Sequence, residues 1–448
     1  MATNARYAAI ETLSRLGRTR RPVSSLLAAV VEQSGLQPKD RHLVMHLVFG
    51  VLRHRDQLDF LVAQLCARPT GQIHPWVRQA LTVGLYQIFF LDRTPTFAAV
   101  NETVEALRQA GLPKKLLGFT NAILREALRR KEVLAASIIA DPGNPPLLNH
   151  PAWLTERWQA HFGADIMQAI CAHNNREPIL CLRAVHAYGR EPLRHLFQKA
   201  GLNTENGAVA PESVLLPDFH GEIPSLPGFQ DGLFQIQDQS AQLATYLLAP
   251  FSAGRRYLDC CAGLGGKTTH LAELVSSQGS AIMALEPDPG RFRLLQENLA
   301  RCRSQTTVSV RMQTLEDFCR SCTSRFDAVL IDAPCSGTGV IGRQPDIRWN
   351  RRAEELPRYQ QRQRALLKLA ATLLVPGGIL VYATCSIEPE ENQQVVAGFL
   401  NEFPAFRLTD CREFLASTAH HLVSEGFFRP LPGRGQDGFF AARLLRKG

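Results

Sequence analysis

Tyr257-Leu258-Asp259-Cys260-Cys261-Ala262-Gly263-Leu264-Gly265-Gly266-Lys267-Thr268 reads as a short strand, a glycine-rich loop and the opening of a helix. Glycines let the backbone approach a ligand closely, and the free amides of a helix start point at whatever sits there. Three nucleotide-like ligands compete for this loop. A phosphate-binding P-loop needs G-x-x-x-x-G-K-[ST], and with Gly266-Lys267-Thr268 fixed its first glycine falls on position 261, which is Cys. The dinucleotide fingerprint G-x-G-x-x-G, started at Gly263, ends on Thr268 instead of glycine. Each fails by one required residue. S-adenosylmethionine carries no phosphate and asks only for close backbone approach plus carboxylates for its hydroxyls.

Working outward, strand and helix alternate in the manner of a parallel α/β sheet. The helix Thr268–Val275 is followed by a strand at Ala281–Leu285 and a helix at Arg291–Cys302. Strands at Val308–Met312 and Ala328–Ile331, a helix at Gln360–Leu374 and a strand at Ile379–Ala383 complete the pattern. In such sheets ligands bind outside the carboxyl ends of the strands, and acids occupy those ends here. Glu286 stands 20 residues after Gly266, where a carboxylate accepts both hydroxyls of a ribose. Asp259 and Asp332 close the first and fourth strands.

Two cysteines share that edge. Asp332-Ala333-Pro334-Cys335-Ser336-Gly337-Thr338-Gly339 follows the fourth strand and Ala383-Thr384-Cys385-Ser386 the fifth. A cytosine ring is electron-poor at C6, so a thiolate adds there and turns C5 into a nucleophilic enamine that takes a methyl group from a sulfonium. A second thiol assists release, and an acid such as Asp332 protonates N3. Either cysteine alone reads as a small buried hydrophobe; the two together point to this chemistry.

The rest of the chain is read by composition. Its 448 residues suggest two to four domains at about 100–200 residues each. Hydrophobic residues at 45% and charged residues at 20% exclude a disordered chain. Apolar stretches such as Leu369–Pro376 fall short of the roughly 18 residues that cross a bilayer, and Arg6 and Glu11 stand where a signal peptide is apolar, so a cytoplasmic address is expected. The net charge of +9 is concentrated at one end: residues 1–131 hold 19 Lys/Arg against 9 Asp/Glu, and the remainder is balanced at 31 against 32. A basic amino-terminal module suits a polyanion, since Lys and Arg displace counterions from phosphates; a solubilising surface is the plainer reading. Eleven cysteines without a repeating spacing argue for reduced thiols. Cys319 and Cys322 form a lone C-x-x-C beside the helical turn Leu315–Phe318, and His42 and His46 lack the Glu of a zinc-protease motif, so no metal site is expected.

Residues 1–130 repeat apolar side chains at three and four, as in Ala5, Ala9, Leu13 and Leu16, and predict about six helices punctuated by Pro22, Pro38, Pro69, Pro95 and Pro113. Asp141–Pro146 reads as a linker. From Pro151 to about Gln230 a small α+β insert is expected, with helices Trp153–Phe162 and Leu193–Ala200 around an extended Ile179–Val185.

Several segments carry a resemblance: Gln237–Gln242, Gly265–His270, Asp332–Gly339, Pro345-Asp346-Ile347-Arg348-Trp349, Tyr382–Ser386 and Asp437-Gly438-Phe439-Phe440. Together they resemble the RNA cytosine-C5 methyltransferase family. The helical third resembles the antitermination factor NusB through Gly50–Arg53, Gly84–Gln87, Ala98–Val104 and Asn121–Arg125. The resemblance implies a multidomain fold: an all-α NusB-like RNA-binding domain over 1–140, a small α+β RNA-recognition region over 151–230, and an α/β Rossmann-like, S-adenosylmethionine-dependent methyltransferase domain over 231–448.

It also implies roles. Cys385 would be the nucleophile on C6, Cys335 would assist release, and Asp332 would sit between donor and base. Cys261, Ala262, Gly263, Leu264, Gly265, Gly266 and Lys267 would line the donor, and Glu286 would hold its ribose. Two departures stand out: Gly263-Leu264 replaces the family's Ala-Pro, and the acid near the adenine falls on Thr314, with Asp317 as the nearby carboxylate. The implied substrate is small-subunit (16S) ribosomal RNA; neither DNA nor a membrane is expected as partner, and the expected state is a monomer. Two rivals are a P-loop ATPase and an RNA-binding assembly factor with a vestigial methyltransferase domain.

Overall fold

Amphipathic repeats near the amino terminus give eight helices among the described residues. They are Ala5–Leu16, Val23–Ser34, Pro38–Arg53, Arg55–Leu65, Pro75–Phe90, Thr96–Gln109, Lys114–Arg129 and Lys131–Ile139. Two more helices form than the roughly six expected, because chain breaks at His54 and Arg130 involve neither Pro nor Gly. Both residues leave the helical region at φ near −105° (−107° and −102°). Ala9, Leu13, Leu47, Val51, Val100 and Leu107 meet in one apolar core. The computed structural model describes residues 4–19, 21–66, 69–92, 95–139, 148–276, 278–304 and 308–448, so the expected linker Asp141–Pro146 lies outside the described residues. No helix among the described residues is long and apolar enough to cross a membrane.

Two compact units divide the chain: Met1–Glu177 with Ile341–Arg351, and Pro178–Val340 with Arg352–Gly448. The segment expected as one small α+β region is shared between them. Its first two helices, Ala152–Phe162 and an unforeseen Ala164–Asn174, lie in the first unit, and its strands and the helix Arg190–Lys199 in the second. The 341–351 segment also belongs to the first unit, where Arg348 is fully buried. Its guanidinium donates to the carbonyls of Asn149 (2.8 Å) and Asn174 (2.8 Å) and to Asn175 Oδ1 (2.6 Å). Burial, followed by the nearby Arg53, lowers its pKa to about 9.

In the second unit, strands β1 (Leu180–Ala184), β2 (Glu205–Asn206), β3 (Ser213–Leu216) and β4 (Phe234–Ile236) form an antiparallel sheet ordered β2-β3-β1-β4. Leu193 and Phe197 of helix Arg190–Lys199 cover it, packing with Leu182, Val214 and Phe234.

A nine-stranded sheet follows, built from β5 (Arg256–Asp259), β6 (Ala281–Leu285), β7 (Val308–Arg311), β8 (Phe326–Asp332), β9 (Leu374–Thr384), β10 (Phe406–Thr409), β11 (Val423–Ser424), β12 (Phe427–Phe428) and β13 (Phe440–Arg446). The order β9-β8-β5-β6-β7 is parallel, and β13 joins β9 antiparallel. Side chains alternate between two cores: Tyr257, Leu330 and Val381 face one, while Leu258, Val329, Ile331, Leu380 and Tyr382 face the other. Apolar runs on both faces are what a helix-covered parallel sheet requires.

Candidate active site

The parallel strands deliver their acids and thiols to one edge. β5 ends on Asp259 and β8 on Asp332, Glu286 follows β6, and Cys385 follows β9. In register, Asp259 lies opposite Leu330 and Ala284, and Asp332 opposite Ala383, so the loops that follow are neighbours.

Asp259 fastens both ends of the glycine loop. Its buried carboxylate accepts from the Cys261 amide (3.3 Å) and from Thr268 Oγ1 (2.7 Å). Burial pushes this carboxyl up to about 6, against the pull of those bonds. Gly265 begins the helix Gly266–Leu274 at φ +87°, and a Cβ there would come within 2.6 Å of Leu295; both facts demand glycine. Gly263 has φ +56° with open space beside it, and Leu264 is 49% exposed, its carbonyl held by Asn298 (2.9 Å). Glu286 is buried, and its Oε1 takes the Asp288 amide (2.8 Å) and Arg291 (2.9 Å), while no bond among the described residues engages Oε2. Burial, then the carboxylates of Asp259, Asp332 and Glu286, push the Cys261 thiol far up: the three acids named from sequence converge on this loop.

Lys267 leaves the loop toward the other half of the site. Its Nζ is 2.6 Å from Asp332 Oδ2 and 5.2 Å from the Phe439 ring centre. Burial alone would lower its pKa; Asp332, with Cys385 and Asp259 behind it, raises it overall.

The two predicted thiols meet. Cys335 Sγ and Cys385 Sγ are 3.3 Å apart. The hydrogen bond to Cys385, followed by burial, pushes the Cys335 thiol well above its usual range. The Gly339 amide donates to the Cys385 carbonyl (3.0 Å) and the Gly438 amide to the Gly339 carbonyl (2.9 Å). A side chain at Gly339 would overlap the Gly438 carbonyl, and a Cβ at Gly438 would come within 2.9 Å of the Gly339 Cα, so the close approach of the two strands of chain requires both glycines.

Thr314 and Asp317, expected near the adenine, follow β7. Thr314 caps the helix Leu315–Ser321 by accepting the Asp317 amide (3.1 Å), and its hydroxyl donates to Asp317 Oδ2 (2.9 Å) while Arg320 takes Oδ1. Cys319 and Cys322 reach the carbonyls of Leu369 and Ser324, and His46 pairs with Glu177 at 2.6 Å. Sequence reasoning missed Glu391, which joins the two cysteine loops from within.

Comparison with known proteins agrees with this architecture. The family described as 16S rRNA methyltransferase RsmB/F matches residues 245–445, the NusB family matches 3–129, and the ferredoxin-like domain described as Methyltr_RsmF/B-like matches 150–220. Ribosomal RNA small subunit methyltransferase B of Yersinia pseudotuberculosis serotype O:1b (strain IP 31758) is 35% identical over 446 residues, covering 99% of both chains. Among solved structures, PH0851 shares the fold at a TM-score of 0.80 with 24% identity and 99% coverage of each chain. A methyltransferase homolog protein from Pyrococcus horikoshii gives a TM-score of 0.55 with 27% identity, covering 69% of this chain and 98% of its own. The full-length identity, on a chain that carries both the helical module and the methyltransferase sheet, places the protein in the ribosomal RNA small subunit methyltransferase B family.

Proposed function

We propose that the protein methylates C5 of a cytosine in small-subunit (16S) ribosomal RNA, with S-adenosylmethionine as donor, through a transient bond between Cys385 and the base. The sulfur pair carries this reading: two thiols 3.3 Å apart on adjoining loops, within electrostatic reach of Lys267 and Asp332. When bound, S-adenosylmethionine supplies an electrophilic methyl group. The residues suited to hold it are the glycine loop, open beside Gly263, and Glu286, whose Oε2 is available for hydroxyls.

Cys335, its thiol pushed up by the neighbouring sulfur and by burial, stays protonated, which leaves Cys385, 3.3 Å away, as the nucleophile. Its sulfur adds to C6 while N3 receives a proton from Asp332, for which the Lys267 ammonium at 2.6 Å is the adjacent source. C5 then takes the methyl group. On release C5 gives up its proton to a water acting as base, the electrons of that C–H bond restore the C5=C6 double bond, the C6–S bond breaks with its electrons on Cys385, and the N3 proton returns to Asp332. Cys335 assists that last step. Residues 1–140 and 151–230 are assigned to docking the RNA and 231–448 to the chemistry, with one unpaired or flipped cytosine entering the site.

Mapping 5-methylcytosine in small-subunit ribosomal RNA from cells with and without the protein tests the reaction. Cys385→Ala should abolish the mark, and Cys335→Ala should accumulate a covalent protein–RNA complex that migrates slowly under denaturing conditions. A trapped complex with Cys385→Ala instead would exchange the two roles, and methylation that survives Cys385→Ala would overturn the mechanism.

A further inference from the structure

Glu391 lies in an acidic run, Glu388-Pro389-Glu390-Glu391, and its side chain is fully buried. Oε1 accepts from the Ser336 amide (2.8 Å) and from Gln363 Nε2 (3.0 Å). Oε2 accepts from the hydroxyls of Ser336 and of Ser386, the latter at 2.5 Å. Ser336 and Ser386 are the residues that follow Cys335 and Cys385. One carboxylate therefore bridges both cysteine loops, each gripped one residue from its sulfur.

The surroundings reinforce the grip. Gln363 Nε2 also donates to the Pro334 carbonyl (3.1 Å), Thr338 Oγ1 lies 3.2 Å from Ser386 Oγ, and Asn392 Nδ2 donates to the Ser386 carbonyl (2.9 Å). Burial pushes the Glu391 carboxyl above its usual range, and the donors from Ser336, Ser386 and Gln363 oppose that. A buried carboxylate is costly unless hydrogen-bonded, and one so placed fixes whatever its donors carry.

Resting on the two-cysteine reading above, we propose that Glu391 is a positioning residue for the reaction: it sets the spacing and aim of Cys335 and Cys385 by bridging Ser336 and Ser386. A misplacement of about 1 Å can cost on the order of a hundredfold in rate, so the effect belongs to the step that forms the adduct and not to binding.

The test uses the full chain, transcribed small-subunit ribosomal RNA and S-adenosylmethionine, and reads the rate of adduct accumulation in Cys335→Ala with and without Glu391→Gln. Adding Glu391→Gln should slow accumulation at least about tenfold, by the same geometric sensitivity. The KM for RNA and the affinity for the donor should stay within about twofold, since neither surface is touched. An unchanged rate of accumulation overturns the role of Glu391 alone, whereas no adduct in Cys335→Ala itself overturns the two-cysteine reading and this role with it. Should Glu391→Gln fail to fold, Ser336→Ala and Ser386→Ala carry the test in the same background. Slowing by each supports the bridge, and no slowing by either overturns it.

Discussion

Glu391 in the catalytic unit and Arg348 in the helical unit are both ionisable, both fully buried, and both satisfied chiefly by neutral groups. They differ in what they hold. Glu391 gathers the two loops that carry the paired cysteines. Arg348 gathers carbonyl and amide oxygens of 149, 174 and 175 with none of the proposed reacting groups among them. A buried charge marks a place where geometry is enforced; only the side chains it enforces tell whether that place does chemistry.

The sharpest way to break this contrast is through stability. Arg348→Met removes a donor from three buried oxygens and should cost about 2–4 kcal/mol of unfolding free energy, read from the denaturant midpoint. Glu391→Gln keeps the shape but turns one of the two acceptor oxygens into a donor, which loosens the bridge, so its cost should fall on turnover. An unchanged midpoint in Arg348→Met would remove the structural role given to that residue.

A smaller effect separates the units by pH. His54, part-buried in the helical unit and stacked on Phe90, has its pKa lowered to about 4 by burial. Its neutral form is the folded one, so the stability it permits is full above about 6.5 and lost as pH falls toward 4. Asp259 behaves oppositely: with its carboxyl raised to about 6, its contribution is greatest below about 4 and lost as pH rises through 6. Between pH 4.5 and 7 each changes by roughly 2–3 kcal/mol. Between pH 4.5 and 7 the slope of stability should therefore turn more negative in His54→Gln and more positive in Asp259→Asn, as urea titrations at both pH values would register; equal slopes would dissolve the distinction.

The smallest effect concerns the basic surface. Replacing Arg18, Arg20 and Arg21 by Gln should weaken ribosomal RNA binding several-fold and flatten its dependence on salt by about one to two in logarithmic slope. Unchanged binding would remove the charge argument for the amino-terminal module. Arg20 lies outside the described residues.

Much of the catalytic sheet could be read in advance, because each parallel strand is a short apolar run bounded by a loop of specific chemistry. β6 spans the expected Ala281–Leu285, and the Cys335 and Cys385 loops are adjacent as their strand positions required. What could not be read depends on partners distant in sequence. The bridge by Glu391 exists only once β8 and β9 lie side by side, 55 residues separating it from Ser336. The antiparallel β13, Phe440-Ala441-Ala442-Arg443-Leu444-Leu445-Arg446, lacks a clean alternation because both its faces are covered. The helix Ala164–Asn174 hid behind Gly163, which serves as a turn between two helices where a single helix end was expected.

The passage of residues 341–351 into the helical unit has a practical corollary. The polypeptide passes between the units three times, after 177, after 340 and after 351, so no single cut separates them. Any fragment ending near 177 lacks the eleven-residue piece that fills its own interior, Arg348 included. A catalytic fragment beginning near 178 carries that piece as an orphan, with a buried guanidinium and Trp349 turned out to water. Truncation at the apparent boundary would therefore yield two sticky halves, and a protease nick there would leave them tethered by their own thread.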